Sequence, residues 1–437
     1  MDTTYLTKFY KKNHADKIDS LFLAGVISKK EKDTLLDRTL DLEPDTGNNM
    51  IENYIGNYSM PLGVALNYVI DEEELVVPMS IEEPSVIAAS SFAAKIIGSA
   101  GGFKTTVHQR RMIGQVTLKN VKDMEKATEK VLEAKQEILS RANEAYPSIV
   151  ERGGGAKNLE VRLLEDDTNS DIPSFLSVHI HVDTQEAMGA NIVNTMMEGI
   201  APYIEELTGG TALLRILTNY ATECLATATC VIPAHKLKTA DYSGEEVRDR
   251  IIEATQVATI DPYRAVTHNK GIMNGVDAVV LASGNDWRAI EAGAHAYASR
   301  SGKYRSLTTW KKNDAGDLVG ELTLPLPVGT VGGSISIHPA AQLAHSILNH
   351  PKAHKLERVI VSVGLAQNFA AVRALVTEGI QKGHMGLHAR SLAISAGAKG
   401  DYVQQVADIL KHSKHKNLQR AKNILLNLLD ELEKRNK

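Results

Sequence analysis

The stretch LSVHIHVDTQEAMGANIVN, residues 176–194, changes its period halfway along. Leu176, Val178, Ile180 and Val182 alternate with Ser177, His179 and His181, the two-residue repeat of a strand with one buried face. Residues 187–206 then take helical spacing, and Gly209-Gly210 end that helix before a strand at 212–217. Upstream, 113–118 reads as a strand, and Asp123 caps a helix bearing Met124, Ala127, Val131, Ala134, Ile138 and Ala142 on one face. A further strand is expected at 159–164. The order β-α-β-β-α-β is the split βαβ, ferredoxin-like pattern, about 105 residues long, which is the size of one domain. His179 and His181 fall on the polar side of their strand, so they are expected to face solvent.

Outside this unit the chain is α/β in character. Residues 5–40 place Ile18, Leu21, Phe22 and Val26 at helical spacing, a short helical arm. A strand is expected at 76–79 and a small-residue helix at 86–97, beginning after Pro84. Further on come a helix at 244–258, a strand at 278–282, a helix at 289–299, and strands near 306–310 and 318–324. A loop containing Gly329, Gly332 and Gly333 marks close backbone approach, and helices follow at 340–349 and 365–379. The charged, Leu-rich end reads as an appended helical element. The fold class is therefore multidomain α+β or α/β, with the ferredoxin-like domain inserted into a larger one. The expected division is 1–110 and 220–379 for the large domain, 111–219 for the small one, and 380–437 for the helical tail.

Composition narrows the function classes. A chain of 437 residues exceeds one ordinary core, and 43% hydrophobic with 23% charged residues describes a globular protein. A net charge of −4 offers no electrostatic attraction for nucleic acid or an anionic membrane. Cys224 and Cys230 lie in an apolar stretch and read as buried free thiols rather than a disulfide or metal pair. The N-terminus lacks a signal-peptide pattern, and no uninterrupted apolar run approaches the ~20 residues that span a bilayer. The expected location is the cytoplasm. No His/Cys/Asp cluster has metal-ligand spacing, so no metal is expected.

Four short segments carry the chemistry. Glu83 stands in Glu-Glu-Pro-Ser (82–85): either a solvated helix start or an acid kept protonated by burial beside a second acid. Lys270 lies among Asn269, Gly271, Asn274 and Gly275, where burial is expected, and a buried amine needs a partner or a role. Asp286 follows Gly284-Asn285, read as lying just past the 278–282 strand, and is either a helix cap or a partner for that amine. His384, between Gly383 and Gly386, is a candidate proton donor, with His388 as its local competitor. An amine, two carboxylates and an imidazole suit proton transfer and oxyanion stabilisation at a carbonyl being reduced. No Gly-x-Gly-x-x-Gly follows a strand. A dinucleotide would instead meet Met188-Gly189-Ala190-Asn191 at a helix start, with Asn194 nearby; a plain structural cap of small residues is the alternative.

These segments resemble the class II, bacterial-type 3-hydroxy-3-methylglutaryl-CoA (HMG-CoA) reductases. The likeness runs from Glu52-Asn53 to Gly397-Ala398, through Glu-Asn-Tyr-Ile-Gly (52–56), Pro-Leu-Gly-Val (61–64), Glu-Glu-Pro-Ser, Arg-Gly-Gly-Gly (152–155), Asp-Pro-Tyr-Arg-Ala (261–265), His-Asn-Lys-Gly-Ile-Met-Asn-Gly (268–275), Gly-Asn-Asp-Trp-Arg (284–288), Val-Gly-Leu-Ala-Gln-Asn (363–368) and Gly-His-Met (383–385). The resemblance implies a four-electron reduction of HMG-CoA to mevalonate with two NAD(P)H. It implies Lys270 for the oxyanion, Glu83 as proton donor to the aldehyde oxygen, Asp286 tuning both, and His384 protonating the CoA thiolate. It assigns Ser85, Arg264, Asn274, Gln367 and Asn368 to the substrate, and Glu186, Met188, Gly189, Ala190, Asn191, Asn194 and Asn219 to the cofactor. It also implies a homodimer with shared sites, or an assembly of such dimers, and a C-terminal flap over 380–437. Glu186 stands where the family usually has Asp. Glu151, Arg152 and Lys157 in the 146–157 loop favour NADPH over NADH. Two rival readings are mevalonate oxidation by the same site and a non-catalytic CoA-binding scaffold.

Overall fold

The structure, a computed structural model, describes residues 1–168, 170–379, 389–413 and 415–435. Helices α1 (His14–Leu23), α2 (Lys29–Leu36) and α3 (Pro44–Met50) open the chain. Asn13 and Ser28 cap the first two by accepting from the N–H groups of Asp16 and Glu31. The apolar stripe of this arm packs Ile18 and Leu21 against Leu6, Ile27, Val76 and Leu343. Hairpin strands β1 (Leu62–Ile70) and β2 (Glu73–Ser80) lead to α4 (Val86–Gly98) and β3 (Phe103–Val107).

The chain then builds a separate sheet. Its elements are β4 (Arg111–Lys119), α5 (Met124–Glu133), α6 (Lys135–Ala145), α7 (Pro147–Glu151), β5 (Gly155–Leu164), β6 (Phe175–Asp183), α8 (Ala190–Thr208) and β7 (Thr211–Glu223). The strand order is β5-β6-β4-β7 with every pairing antiparallel, the ferredoxin-like arrangement. Leu176, Val178, Ile180 and Val182 meet Val193, Met196, Met197 and Ile200 of α8 in its core. Two expectations need correction. The single helix capped by Asp123 is two, because Ala134 (φ −85, ψ 7) leaves helical geometry between α5 and α6. His179 and His181 are 4% and 3% exposed rather than solvent-facing. Longer side chains on β5 and β7 cover them: Glu160 lies 3.2 Å from His179 Nδ1 and Glu223 lies 2.8 Å from His181 Nδ1.

The return path runs through β8 (Leu225–Ile232), α9 (Gly244–Ile260), α10 (Pro262–Ala282), α11 (Trp287–Ala298), β9 (Thr308–Lys312), β10 (Leu318–Pro325), α12 (Pro339–Ile347) and α13 (Ala353–Val376). A six-stranded sheet of order β2-β1-β3-β8-β10-β9 results. Its core joins Val77, Met79, Ala93, Ile97 and Phe103 to Ile272, Val276, Val279, Val363, Ala366 and Phe369. Residues 278–282 are the last turns of α10, not a strand. Asp261 and Pro262 start that helix, and Ala278, Val279 and Val280 are all fully buried. A helix packed on most sides shows no polar face in this stretch, so its apolar run mimics a buried strand. Helix α13 also starts at Ala353, well before the expected 365. It is long and apolar enough to cross a membrane, yet 67% of its apolar window is buried inside the protein. Helices at 389–395, Asp401–Lys411 and Leu418–Arg435 share a small core of Ala393, Val406, Leu410, Ala421 and Ile424. Cys224 and Cys230 are buried free thiols.

One buried carboxyl gives a stability test. Burial and the nearby Glu291 carboxyl both push Asp277 on α10 well above the usual carboxylate range. A raised folded value means the folded chain binds a proton that the unfolded chain has released. Its stabilising contribution is therefore complete below the unfolded value and lost as pH rises through the folded one. The parent's Tm should decline between about pH 5 and pH 9, and Asp277→Asn should flatten that decline. Parallel Tm curves would show that Asp277 is ionised throughout.

Candidate active site

Helices α4, α10 and α13 enclose a cleft of about 640 Å³. Seven of the residues singled out from sequence line it: Glu83, Ser85, Arg264, Lys270, Asn274, Gln367 and Asn368. Arg264, Lys270 and Asn274 all line it from α10: Lys270 and Asn274 are about one turn apart, and Arg264 lies roughly 120° round the helix from Lys270, at the other edge of the same broad face. Asp261 caps that helix, accepting from the N–H groups of Tyr263 and Arg264, and so sets where the row begins. Gly275 lets α13 come close, since an added Cβ would lie 2.9 Å from the Gln367 side chain.

At the mouth, Lys270 Nζ donates to Glu83 Oε2 at 2.7 Å. Their side chains are 59% and 37% exposed, so Lys270 is open in the single chain rather than buried as expected. The glycines that suggested burial serve another side of the helix: Gly275 faces α13, while Gly271 has open space around it. The acid's partner is the ammonium rather than Glu82. Ser85 sits at the start of α4 in the left-handed region (φ 78), and its hydroxyl does not cap the helix.

Deeper in, polar groups lack partners. Among the described residues, Ser85 Oγ and Gln367 Oε1 are buried without a hydrogen bond. Among the described residues the Arg264 guanidinium has no hydrogen bond or ion pair, and burial draws it below its usual range. Buried polar atoms left unpaired across one cavity mark a place where a polar ligand fits. Asn368, by contrast, is committed internally. Its Oδ1 accepts from Trp310 Nε1 at 2.8 Å and Thr308 Oγ1 at 3.1 Å, and its Nδ2 lies 2.9 Å from His268 Nε2. Burial, helped by Arg264, pushes His268 down to about 3, so the ring is neutral and acts as a wall. Sequence reading passed over His268, because a lone histidine inside a helix carries no local signal.

Asp286 is not in this cleft. It caps α11, accepting from the N–H groups of Arg288 and Ala289 at 3.1 Å, with Arg288 Nη2 at 3.5 Å. Lys270 and the end of α10 are separated by helix rising about 1.5 Å per residue, on the order of 18 Å. Within one chain the structure brings Glu83 and Lys270 together and leaves Asp286 apart. His384 lies outside the described residues.

The dinucleotide candidate is a tight turn between β6 and α8. Gly189 (φ 96) stands before Ala190, and an added Cβ would overlap Thr184. Asn191 is exposed, as is Asn219 on β7, while Asn194 Oδ1 is spent accepting from Leu217 N at 2.9 Å. Glu186 turns the other way: its Oε2 accepts from Ala353 N at 2.7 Å and Thr330 Oγ1 at 3.0 Å. The glycine loop flagged from sequence lies opposite, with an added Cβ on Gly329 only 2.7 Å from Met188 N. Gly154 leans on the same turn, since an added Cβ there would lie 2.5 Å from Asp183 O and 3.0 Å from the Gln185 side chain.

Fold and cleft together define an oxidoreductase built from an α/β body and an inserted ferredoxin-like unit. A profile of the hydroxymethylglutaryl-coenzyme A reductase family matches residues 19–389, and the chain belongs to that family, in its class II form. The 3-hydroxy-3-methylglutaryl-coenzyme A reductase of Archaeoglobus fulgidus is 45% identical over 417 residues, 95% of this chain and 93% of that one. A probable reductase of Borreliella burgdorferi is 37% identical over 79% of this chain and 77% of its own. Among solved structures, the Streptococcus pneumoniae reductase superposes with TM-score 0.82 at 47% identity, covering 97% of this chain and 99% of that one. A class II Streptococcus pneumoniae structure bound to NADPH in open conformations matches with TM-score 0.82, 47% identity and coverage of 85% and 99%.

Proposed function

We propose that this protein reduces the HMG-CoA thioester to mevalonate and free CoA, consuming two NAD(P)H, for isoprenoid synthesis in the cytoplasm. The observation that carries this reading is the cleft itself: an amine held by a carboxylate at its mouth, with an unclaimed guanidinium and two unpaired polar atoms inside. Arg264 suits the substrate's free carboxylate, and Ser85, Asn274 and Gln367 suit its hydroxyl and carbonyl oxygens. The nicotinamide supplies hydride when bound. Lys270 then holds the oxyanion that forms on the thioester carbonyl oxygen, and again on the aldehyde oxygen. Collapse of the first adduct breaks the C–S bond, and His384 gives the thiolate its proton. Glu83, having first taken up a proton from solvent, protonates the aldehyde oxygen after the second transfer.

The cofactor belongs at the α8 start, where free backbone N–H groups and small Gly189 and Ala190 admit a pyrophosphate. Arg152 and Lys157 flank Gly154, which leans on this turn, and this favours NADPH. A second chain completes the site. Ile51, Ile55 and Tyr58 are 57%, 101% and 94% exposed, apolar cover that a lone chain leaves open. Asp286, distant from Lys270 in one chain, would reach it from the partner. The division at 1–110, 111–219, 220–379 and 380–437 follows: cofactor on the inserted unit, substrate on the body, and a tail that brings His384 over the cleft.

A spectrophotometric assay with HMG-CoA and each cofactor tests the reading directly. Oxidation of two nicotinamides per mevalonate supports it, and a chain that binds CoA without turnover would favour the scaffold instead. Efficient mevalonate oxidation with strong NADH preference would point to the catabolic direction. His384→Gln should cripple thioester reduction while largely sparing reduction of added mevaldehyde, because only the first half-reaction expels a thiolate. Equal loss in both assays removes that role.

A further inference from the structure

The inserted unit is joined to the body by two strand crossings, and a buried ion pair sits between them. Arg110 lies in the first crossing, between β3 and β4, and Glu357 in the first turns of α13, with side chains only 6% and 1% exposed. Arg110 Nε donates to Glu357 Oε1 at 2.5 Å. Its two remaining nitrogens donate to the carbonyl oxygens of Gln185 and Val328. Cys224, in the second crossing, places its thiol 3.6 Å from the same Glu357 oxygen. One guanidinium therefore ties a crossing, the body helix α13, the loop after β10, and the residue that opens the turn before α8.

Two more links end on that turn. Glu186 accepts from Ala353 N, the first residue of α13, and its carbonyl accepts from Thr330 N at 2.8 Å. Gly329 backs directly onto Met188 N, and Asn285 clamps Gly329 with a reciprocal pair of bonds at 2.7 and 3.0 Å. All these contacts converge on residues 185–188. The turn is anchored on its carbonyl side by the body, while among the described residues the N-cap Gly189 leaves the α8 start without a side-chain cap.

We propose that Arg110 and Glu357 are positioning residues for the dinucleotide: the pair fixes the 185–188 turn against α13 and so aims the α8 N-terminus at the pyrophosphate. This rests on the reductase reading above. Neither residue lies in the substrate cleft. A bidentate guanidinium suits the task, since its planar fork holds two carbonyls in one fixed geometry where an ammonium could not. Cofactor affinity is then set partly by a helix of the body that also carries Gln367, outside the unit that would hold the dinucleotide.

The test is to titrate the full-length protein separately with NADPH, by nicotinamide fluorescence, and with CoA, by calorimetry. Arg110→Lys keeps the charge but loses the fork, and should weaken NADPH binding about tenfold while leaving CoA binding unchanged. In turnover it should raise KM for NADPH with kcat retained at saturation. Tm is measured on the same samples, because a purely structural role would lower Tm and weaken both ligands together; that result overturns the proposal, as does wild-type NADPH affinity in a folded variant. Should Arg110→Lys fail to fold, Glu357→Gln keeps volume and an acceptor for Arg110, and should shift NADPH binding in the same direction by less. Unchanged NADPH binding there also overturns it. A parent protein that binds CoA but no nicotinamide would instead sink the reductase reading, and this proposal with it.

Discussion

Lys270→Met should reduce kcat for HMG-CoA by at least about 10³-fold with little change in KM, because a donor aimed at an oxyanion acts mainly in the transition state. The ammonium is already oriented in the resting protein by Glu83, 2.7 Å away, so no reorganisation is needed when charge develops. Methionine keeps the length and the helix propensity of the side chain, and the native side chain is 59% exposed, so the fold should be undisturbed. Mevaldehyde reduction should fall as steeply as thioester reduction, since both half-reactions place negative charge on the same oxygen. This separates Lys270 from His384, whose loss should spare the second half-reaction. A folded Lys270→Met protein with parental turnover on either substrate would remove the amine from the mechanism.

The second large effect concerns where the site is assembled. If Asp286 serves the Lys270 of the partner subunit, Lys270→Met and Asp286→Asn proteins should each be nearly inactive alone yet restore activity when co-expressed. A mixed dimer then contains one site with both native groups and one with neither. Random pairing makes half of the dimers mixed, with one working site of two, so about a quarter of parental activity should return. A site confined to one chain would regain nothing on mixing. The geometry motivates this result: Asp286 caps α11 at the far end of α10 from Lys270, and the apolar segment around Ile55 and Tyr58 stands uncovered.

Some of this was open to direct reading. The ferredoxin-like unit was legible because the β6 sequence alternates strictly and α8 follows it with clean helical spacing, although Ser177, His179 and His181 on the strand's second face are buried as well. The end of α10 is not legible as helix in the sequence because Val279 and Val280 are buried in a helix surrounded by other elements, where periodicity has nothing polar to report. His179 and His181 were placed in solvent because alternation identifies a strand's second face but not what the neighbouring strands lay over it. Lys270 was expected to be buried because glycines beside it imply close packing, yet only Gly275 has a close neighbour.

The residue types needed for chemistry, their order, the unit built from two βαβ halves and the family likeness are all properties of the chain as written, since each depends on spacing along a backbone of known periodicity. The pairing of Glu83 with Lys270 across 187 positions, the isolation of Asp286, the neutral His268 wall and the Arg110–Glu357 tie were settled only by folding. Such contacts join helices and loops distant in sequence, and their energies come from desolvation and geometry that no local repeat encodes.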